Sequence, residues 1–376
     1  MVVGVPKETQ SSEYRVSMLP VGVEQLVAAG HTVLVQVGAG VGSGILDEDY
    51  FSAGAILCQS ASEVFDTAVL IVKVKAPLPE EYGRLREGQV VFTYFHFAAN
   101  AGLTNAMLER KTVCIAYETI QTDDGELPLL TPMSEVAGKM AVQQGAKYLE
   151  KPMAGRGILL GGVPGVERAK VLIIGGGIVG TNAAKVAAGM GAEVTIMDVN
   201  LRRLRYLDDI MPSNVVTVMS DPHTIREKVT EADLLIGAVL IPGGRTPHLV
   251  TEDMVSTMKP GAVIVDVAVD QGGCIETTRP TTHQEPTFIK HNVVHYCVTN
   301  MPGAVGRTST YALANVTRPY VLNLANAGWK RSMRENRALA KGLNIADGKI
   351  CFPAVAEAFG TPYFPTGELI ARSGME

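Results

Sequence analysis

The amino-acid sequence predicts an α/β protein made of two doubly wound domains, one inserted into the other. Short apolar runs typical of strands alternate with stretches of helical pattern, as in the βαβ units of a parallel sheet. The length of 376 residues suits two domains of ordinary size. The last stretch of the chain, about 70 residues, is short for a further domain. We therefore expect it to return to the first one.

The first series of elements contains five candidate strands joined by helical stretches. The strands are expected at 2–5, 32–37, 69–75, 90–95 and 113–118, and the clearest helical patterns lie at 21–29 and 104–110. A polar turn at 121–126 leads to a helix expected at 134–149, with Ser134 as its N-cap and Lys151-Pro152 marking its end. This series predicts one mostly parallel sheet.

The second series contains six candidate strands with helical connections. They are expected at 171–174, 193–197, 215–219, 233–239, 262–267 and 293–298. Six such strands fit a Rossmann-like sheet built from two mononucleotide halves. From Gly306 onward the pattern is helical, with a helix expected at 311–325 that ends at Asn326-Ala327-Gly328.

A glycine turn follows the first strand of the second series. Gly175, Gly177 and Gly180 have the spacing GxGxxG, and a helical pattern begins directly after them. The first glycine permits the tight turn, the second lets the backbone approach a pyrophosphate, and the third lets helix and strand pack closely. Free N–H groups at the start of the helix attract phosphate. Another glycine-rich run, at 38–44, opens no helix of sufficient length and is expected to be a structural loop.

An acidic residue completes this dinucleotide pattern. Asp198 closes the next strand, 23 residues after Gly175. A carboxylate there accepts hydrogen bonds from the ribose hydroxyls and repels a 2′-phosphate, which favours NAD over NADP. Arg202 and Arg203 leave some tolerance of NADP open. We therefore assign 130–305 to an NAD-binding Rossmann domain, and 1–129 with 306–376 to a discontinuous substrate domain.

Candidate catalytic residues follow the first-series strands. Lys75 and His96 end neighbouring candidate strands, and ligands of open parallel sheets bind beyond the carboxyl ends of strands. Each alone fits a structural role better, as a solvated strand end or a partly buried histidine, but together they favour function. Arg15 lies in a loop after the first strand and matches a substrate carboxylate, although by itself it is only a surface arginine.

In the second series the candidate is an aspartate. Asp266 and Asp270 share a parity on one apolar run, so pattern alone does not separate them. The position at the end of the run makes Asp270 the better candidate for proton transfer.

Composition narrows the class of protein. Hydrophobic residues make up 47% and charged residues 19%, which supports a large buried core and argues against disorder. The net charge of −5 offers no basic surface to nucleic acid. The N-terminus lacks a signal-peptide pattern, and no apolar run is long enough to span a membrane. We expect a cytoplasmic protein with neither nucleic acid nor membrane as a partner.

Metal and disulfide chemistry are not expected. The five cysteines are odd in number, scattered and without a CxxC pair, which is typical of small buried hydrophobes in a reducing compartment. His291 and His295 have no partners at convincing metal spacing. The sequence therefore predicts no metal site.

Several motifs together resemble those of the alanine dehydrogenase family, and they span essentially the whole chain. The matching stretches are GVPKE at 4–8, EYRV at 13–16, VKVK at 72–75, PLLTPMS at 128–134, LLGGVPGV at 159–166, VDVAVDQGG at 265–273, NMPGAV at 300–305 and RTST at 307–310. The resemblance implies oxidative deamination of L-alanine to pyruvate and ammonium with reduction of NAD, a reaction of alanine catabolism. It also suggests a homohexamer.

The resemblance further implies roles for individual residues. Arg15 and Lys75 would bind the substrate, and His96 and Asp270 would form the acid–base pair. The residues implied around the cofactor are Ser134, Asp198, Arg203, Ser220, Val239, Val267, Val298 and Met301.

Two alternatives stay open beside this interpretation. The NAD-binding component of a proton-translocating transhydrogenase resembles the chain around Arg15 and Lys75, but it lacks the equivalents of His96 and Asp270. A catalytically inactive sensor of NAD or alanine is the other, and the intact set of four polar residues argues against it.

Overall fold

The computed structural model describes residues 1–239 and 247–371, and the chain divides into two compact units. Unit 1 comprises Met1–Met133 and Gly303–Glu376, and unit 2 comprises Ser134–Pro302. Each unit is an α/β structure built around one sheet. The predicted fold class, two doubly wound Rossmann-like domains, is confirmed.

The first part of unit 1 alternates strands and helices. In chain order these are β1 (Val2–Val5), α1 (Pro20–Ala28), β2 (Thr32–Gln36), α2 (Asp47–Ser52), β3 (Ile56–Cys58), α3 (Ala61–Thr67), β4 (Leu70–Val72), α4 (Pro79–Tyr82), β5 (Val90–Thr93), α5 (Ala101–Arg110) and β6 (Val113–Ala116).

Unit 2 begins within a long helix and continues with the same alternation. Its elements are α6 (Thr131–Tyr148), β7 (Lys170–Ile174), α7 (Ile178–Gly189), β8 (Glu193–Asp198), α8 (Leu201–Ile210), β9 (Val215–Met219), α9 (Pro222–Glu231), β10 (Leu234–Gly237), α10 (Glu252–Ser256), β11 (Val263–Asp266), β12 (Thr287–Lys290) and β13 (Val293–Tyr296). The chain then returns to unit 1 with α11 (Gly306–Glu335), α12 (Arg337–Lys341), β14 (Leu343–Ala346), β15 (Lys349–Ile350), α13 (Pro353–Phe359) and α14 (Thr366–Ala371).

The two sheets share one topology. In unit 2 the order is β12-β13-β11-β10-β7-β8-β9, and only β12 runs antiparallel to its neighbour. Without β12 this is the order 3-2-1-4-5-6 of a doubly wound dinucleotide-binding domain. In unit 1 the order is β15-β14-β6-β5-β4-β1-β2-β3, so β1 to β6 repeat the same pattern and β14 and β15 extend it antiparallel. Ligands of such sheets bind beyond the carboxyl ends of the parallel strands.

Some predictions about local structure were wrong. The sequence analysis expected neither β3 nor β12, so the two series contain six and seven strands and not five and six. Ser134 does not cap α6, because the helix already begins at Thr131 and Ser134 lies in its first turns. The C-terminal stretch is not purely helical, since β14 and β15 form a hairpin there. Its turn, Asp347-Gly348, has φ of 52° and 69°, as a type I′ turn requires. An Asp-Gly pair between short apolar runs was the sequence signal for this hairpin.

Other boundaries agree or shift slightly. The helical conformation breaks at Gly328, where φ is 72° and ψ is 158°, at the place the sequence predicted. The strands expected at 69–75, 90–95 and 113–118 end earlier, at Val72, Thr93 and Ala116. The candidate residues therefore lie in the loops just after these strands and not within them.

Candidate active site

The glycine turn joins β7 to α7 in unit 2. Gly175 has φ of 104°, and a Cβ there would lie 2.5 Å from the carbonyl oxygen of Ala238. A Cβ on Gly180 would overlap the carbonyl oxygen of Gly175. The fold itself therefore requires these two glycines.

Gly177 is different, because nothing within 4 Å would meet its Cβ and its φ of −67° is ordinary. It is the N-cap residue of α7, and no side chain caps the helix start there. The first N–H groups of a twelve-residue helix thus begin beside an exposed glycine. This cradle fits the pyrophosphate of a dinucleotide, since the protein alone gives no steric reason for glycine at this position.

Asp198 and Arg203 bind the glycine turn directly. Asp198 Oδ2 accepts a hydrogen bond from the Gly176 N–H at 2.8 Å, so the carboxylate stands at the turn. Arg203 Nε donates to the Gly176 carbonyl oxygen at 2.6 Å, and its Nη2 donates to Thr181 Oγ1 at 2.7 Å. The guanidinium of Arg203 is therefore engaged in holding the turn.

The other cofactor candidates of unit 2 lie mostly at the carboxyl edge of its sheet. Ser220 follows β9, and its N–H donates to the carbonyl oxygen of Asp198 at 3.0 Å. Val239, Val267 and Val298 lie within two residues of the ends of β10, β11 and β13. Outside this set, Ser134 is half-buried in α6 and Met301 is buried at the start of a short 3₁₀ turn.

The two aspartates at the end of β11 and just beyond it have different surroundings. Asp266 is fully buried, and its carboxylate accepts hydrogen bonds from the Ala268 and Cys274 N–H groups and from the Thr278 hydroxyl, at 3.0, 3.2 and 2.7 Å. Burial raises the pKa of Asp266, and these hydrogen bonds oppose the rise. Asp270 is exposed in the 3₁₀ turn Val269–Gln271, on the loop that Asp266 holds. The structure therefore separates a loop-anchoring aspartate from an accessible one.

Arg15 is buried against Glu13 in unit 1. Its Nε and Nη2 each donate to a Glu13 carboxylate oxygen at 2.6 Å. Burial acts to lower the pKa of Arg15, but the hydrogen bonds and charge of Glu13 leave the pKa raised, so the guanidinium stays charged. Its Nη1 lies 3.2 Å from Met133 Sδ. Glu13 therefore occupies the Nε edge of the guanidinium.

Lys75 belongs to a pair of lysines with unlike surroundings. Lys73 is 1% exposed and forms ion pairs with Glu8 at 3.3 Å and Glu81 at 3.1 Å. Lys75 is half-buried, and its backbone N–H and that of Val74 donate to Glu8 Oε1 at 3.4 and 2.6 Å. Burial raises the pKa of Glu8, and the Lys73 charge opposes the rise. The buried cluster thus anchors the loop that carries Lys75.

His96 follows β5 with an unusual backbone. Its φ of 51° and ψ of 43° are left-handed, a conformation that costs a non-glycine residue on the order of 1 kcal/mol. The Glu118 carboxylate accepts the His96 N–H at 2.6 Å. The imidazole is half-exposed and stacks parallel to the Tyr94 ring, with 6.1 Å between ring centroids.

The candidates of unit 1 gather at one edge of its sheet. Lys75 follows β4, His96 follows β5, and the two strands are hydrogen-bonded neighbours. The loop of Arg15 reaches the end of β4, because the Ser17 hydroxyl donates to the Val72 carbonyl oxygen at 2.7 Å. A cation for a carboxylate, a lysine and a histidine therefore share this edge, which suits an acidic small molecule undergoing proton transfer.

Sequence reasoning did not identify the role of four carboxylates in holding these loops. They are Glu8, Glu13, Glu118 and Asp266, and each accepts a backbone N–H of a loop that bears a candidate residue. For Glu118 and Asp266, the available signal was an acidic residue at or just beyond the end of a strand. Glu118, for example, closes a candidate strand adjacent to that of His96.

The open space at Gly177 leads to a prediction about cofactor binding. Gly177→Ala should fold normally and weaken NADH binding about 10- to 100-fold, because one charge-assisted hydrogen bond to phosphate would be lost. The measurement is NADH titration by fluorescence, alongside thermal unfolding. Gly189→Ala is the matched control, since Gly189 ends the same helix and a Cβ there also meets nothing within 4 Å. If both variants bind NADH with equal affinity, the pyrophosphate does not bind at this turn.

Residues 1–239 and 247–371 contain neither a candidate membrane span nor a candidate metal site. Among these residues, no helix is both long and apolar enough to cross a membrane. In the same ranges, no group of three or more His, Cys, Asp or Glu side chains could hold a metal ion.

Two family models match most of the chain. The model of the alanine dehydrogenase/PNT N-terminal domain matches residues 4–137, and that of the C-terminal domain matches 141–353. An alanine dehydrogenase of Methanococcus maripaludis is 58% identical over 366 residues, covering 97% of this chain and 98% of the relative.

Two solved structures are similar to this fold. An L-alanine dehydrogenase superposes with a TM-score of 0.93 at 51% identity, covering 96% of this chain and 99% of that one. A transhydrogenase from Sinorhizobium meliloti superposes with a TM-score of 0.79 at 25% identity, covering 94% and 100%.

Proposed function

The chain belongs to the alanine dehydrogenase/PNT family and is an oxidoreductase, and we propose that it catalyses the reversible NAD-dependent oxidative deamination of L-alanine to pyruvate and ammonium. The observation that carries the proposal is the identity of 58% over 97% of the chain with a protein called alanine dehydrogenase. The polar groups of the candidate site suit the same reaction.

The cofactor we propose is NAD, held by Gly175, Gly177, Gly180 and Asp198. When bound, its nicotinamide accepts the hydride from the alanine α-carbon. The N–H groups at the start of α7 would face the pyrophosphate, and the Asp198 carboxylate would accept the adenosine ribose hydroxyls. Its charge would also repel a 2′-phosphate. Because Arg203 is bound to the Gly176 carbonyl oxygen and Thr181, a preference for NAD over NADP is expected.

The substrate carboxylate would bind Arg15, whose orientation Glu13 fixes. A charged, buried guanidinium favours an α-amino or α-oxo acid over a neutral amine. Lys75 would lie at the substrate oxygen and stabilise the negative charge that develops there during water addition and loss.

His96 and Asp270 would move the protons. Deamination requires a proton to leave the amino group, a water to add to the imine carbon, and ammonia to depart, so each stage needs an acid or a base. A histidine suits both roles near neutral pH. The carboxylate of Asp270 would assist the removal of the proton from the attacking water.

The transhydrogenase component remains the alternative, and it fits less well. Its structural likeness is lower, with 25% identity against 51%. This chain also carries His96 and Asp270, which a hydride exchange between two nucleotides does not need. The expected cytoplasmic location and homohexamer stay predictions.

The test is a substrate assay on the purified chain. Incubation with NAD and L-alanine should give NADH and pyruvate in equal amounts, and pyruvate with ammonium and NADH should run the reaction backward. Hydride exchange between NADH and an oxidised nucleotide analogue, with no response to alanine, would favour the transhydrogenase alternative.

A further inference from the structure

We propose that Glu118 is a positioning residue that holds His96 in its working conformation. The inference rests on the proposed role of His96 in the deamination reaction. It concerns a carboxylate that neither the sequence motifs nor the proposed mechanism uses. Glu118 touches the backbone of His96 and acts on the reaction through it.

Topology brings the two residues together. β5 and β6 are parallel neighbours, with Thr93 paired to Ala116, so their carboxyl ends meet at one edge of the sheet. His96 lies three residues beyond Thr93, and Glu118 lies two residues beyond Ala116 in the 3₁₀ turn Tyr117–Thr119.

The hydrogen bonds fix the bend after β5. Glu118 Oε1 accepts the His96 N–H at 2.6 Å and the Phe95 N–H at 3.2 Å, and Oε2 lies 3.3 Å from the same Phe95 nitrogen. Both N–H groups follow Thr93, the last residue of β5, and neither donates to a neighbouring strand. The carboxylate therefore replaces the neighbouring strand as acceptor just where His96 turns left-handed.

The ring of His96 lies near the same carboxylate. Glu118 Oε1 lies 4.0 Å from His96 Nδ1, which is longer than a hydrogen bond. Tyr94 stacks on the imidazole at an interplanar angle of 8° and limits its rotation. The Glu118 side chain is 13% exposed and that of His96 50%, so the carboxylate is anchored while the imidazole stays accessible. Glu118 thus fixes the backbone from which a solvent-facing base projects.

Three variants test the role of Glu118. Glu118→Ala removes both acceptors and should lower turnover about 10- to 100-fold, because a misplacement of about 1 Å costs that much. Glu118→Gln keeps one oxygen for the His96 N–H and should recover most of the turnover. NADH affinity should stay within about twofold of wild type in both, since the glycine turn is intact. Glu87→Gln is the control, a 72% exposed glutamate paired only at the surface with Lys111.

A measurement of structure accompanies the kinetics. Amide hydrogen exchange at Phe95 and His96 should be slow in wild type and in Glu118→Gln, and fast in Glu118→Ala. This readout needs no activity, so it tests the anchoring even if the wild-type chain proves inactive on alanine. Wild-type exchange at these amides in Glu118→Ala would overturn the proposal. So would turnover that falls equally in the Ala and Gln variants, and only in proportion to the fraction unfolded.

Discussion

Replacing His96 with asparagine or glutamine is expected to lower alanine turnover by about 100- to 10,000-fold, the usual range for a lost acid–base group. Neither side chain titrates near neutral pH. Asparagine tolerates the left-handed backbone that His96 adopts, so His96→Asn removes the proton transfer without straining the turn. Steady-state kinetics in both directions measures the effect.

NADH binding separates a catalytic loss from a folding loss. Both variants should bind NADH as wild type does, because they leave the glycine turn and Asp198 unchanged. His223→Gln is a suitable control, since the His223 side chain is 82% exposed and forms a surface ion pair with Glu227 on α9. If His96→Asn keeps near-normal turnover, another group, such as Asp270 or Lys75, transfers the protons.

Replacing Asp270 with asparagine should also lower turnover by about 100- to 10,000-fold, because an amide of the same shape cannot accept a proton. Asp266→Asn should act differently. That carboxylate is buried and accepts hydrogen bonds from Ala268, Cys274 and Thr278, so its loss should lower the free energy of unfolding by about 1–3 kcal/mol.

Chemical denaturation and kinetics on the two variants provide the comparison. Asp270→Asn should lose turnover and lose less stability than Asp266→Asn, because Asp270 is exposed and Asp266 is buried. Asp266→Asn should unfold at a lower denaturant concentration than wild type. If Asp266→Asn is as stable as wild type while Asp270→Asn is the unstable variant, the two roles are reversed.

The doubly wound topology could be read from the sequence because its signals are local. A buried strand, three spaced glycines and a helix occur in order at 171–189, and each of the six parallel strands in unit 2 is an apolar run. In an open parallel sheet, the position after a strand already specifies the edge at which ligands bind. Asp198, Lys75 and His96 could therefore be selected before the structure was known.

The ends of strands could not be read in the same way. Val74 and Phe95 are apolar and buried like strand residues, yet their N–H groups donate to Glu8 and Glu118 and not to a neighbouring strand. A hydrophobic pattern indicates burial, but it does not indicate which group accepts a backbone hydrogen bond. The carboxylates that end these strands come from distant positions in the chain, which periodicity does not reveal.

The contact between Glu13 and Arg15 also could not be predicted from the sequence. An arginine two residues after a glutamate has no distinctive pattern, and the pair is fixed only when both are buried. Burial removes competing water and makes the two-point contact specific. The sequence could suggest a carboxylate ligand for the arginine, but it could not show which edge Glu13 binds.

The most direct test of the central claim follows the hydrogen on the alanine α-carbon. The purified chain is incubated with NAD and L-alanine carrying deuterium at that carbon, and the nucleotide and keto-acid products are analysed by mass spectrometry. Our account predicts one deuterium in each NADH formed and none in the pyruvate. NADH without deuterium, or an absence of NADH while the folded chain binds NAD, would contradict it.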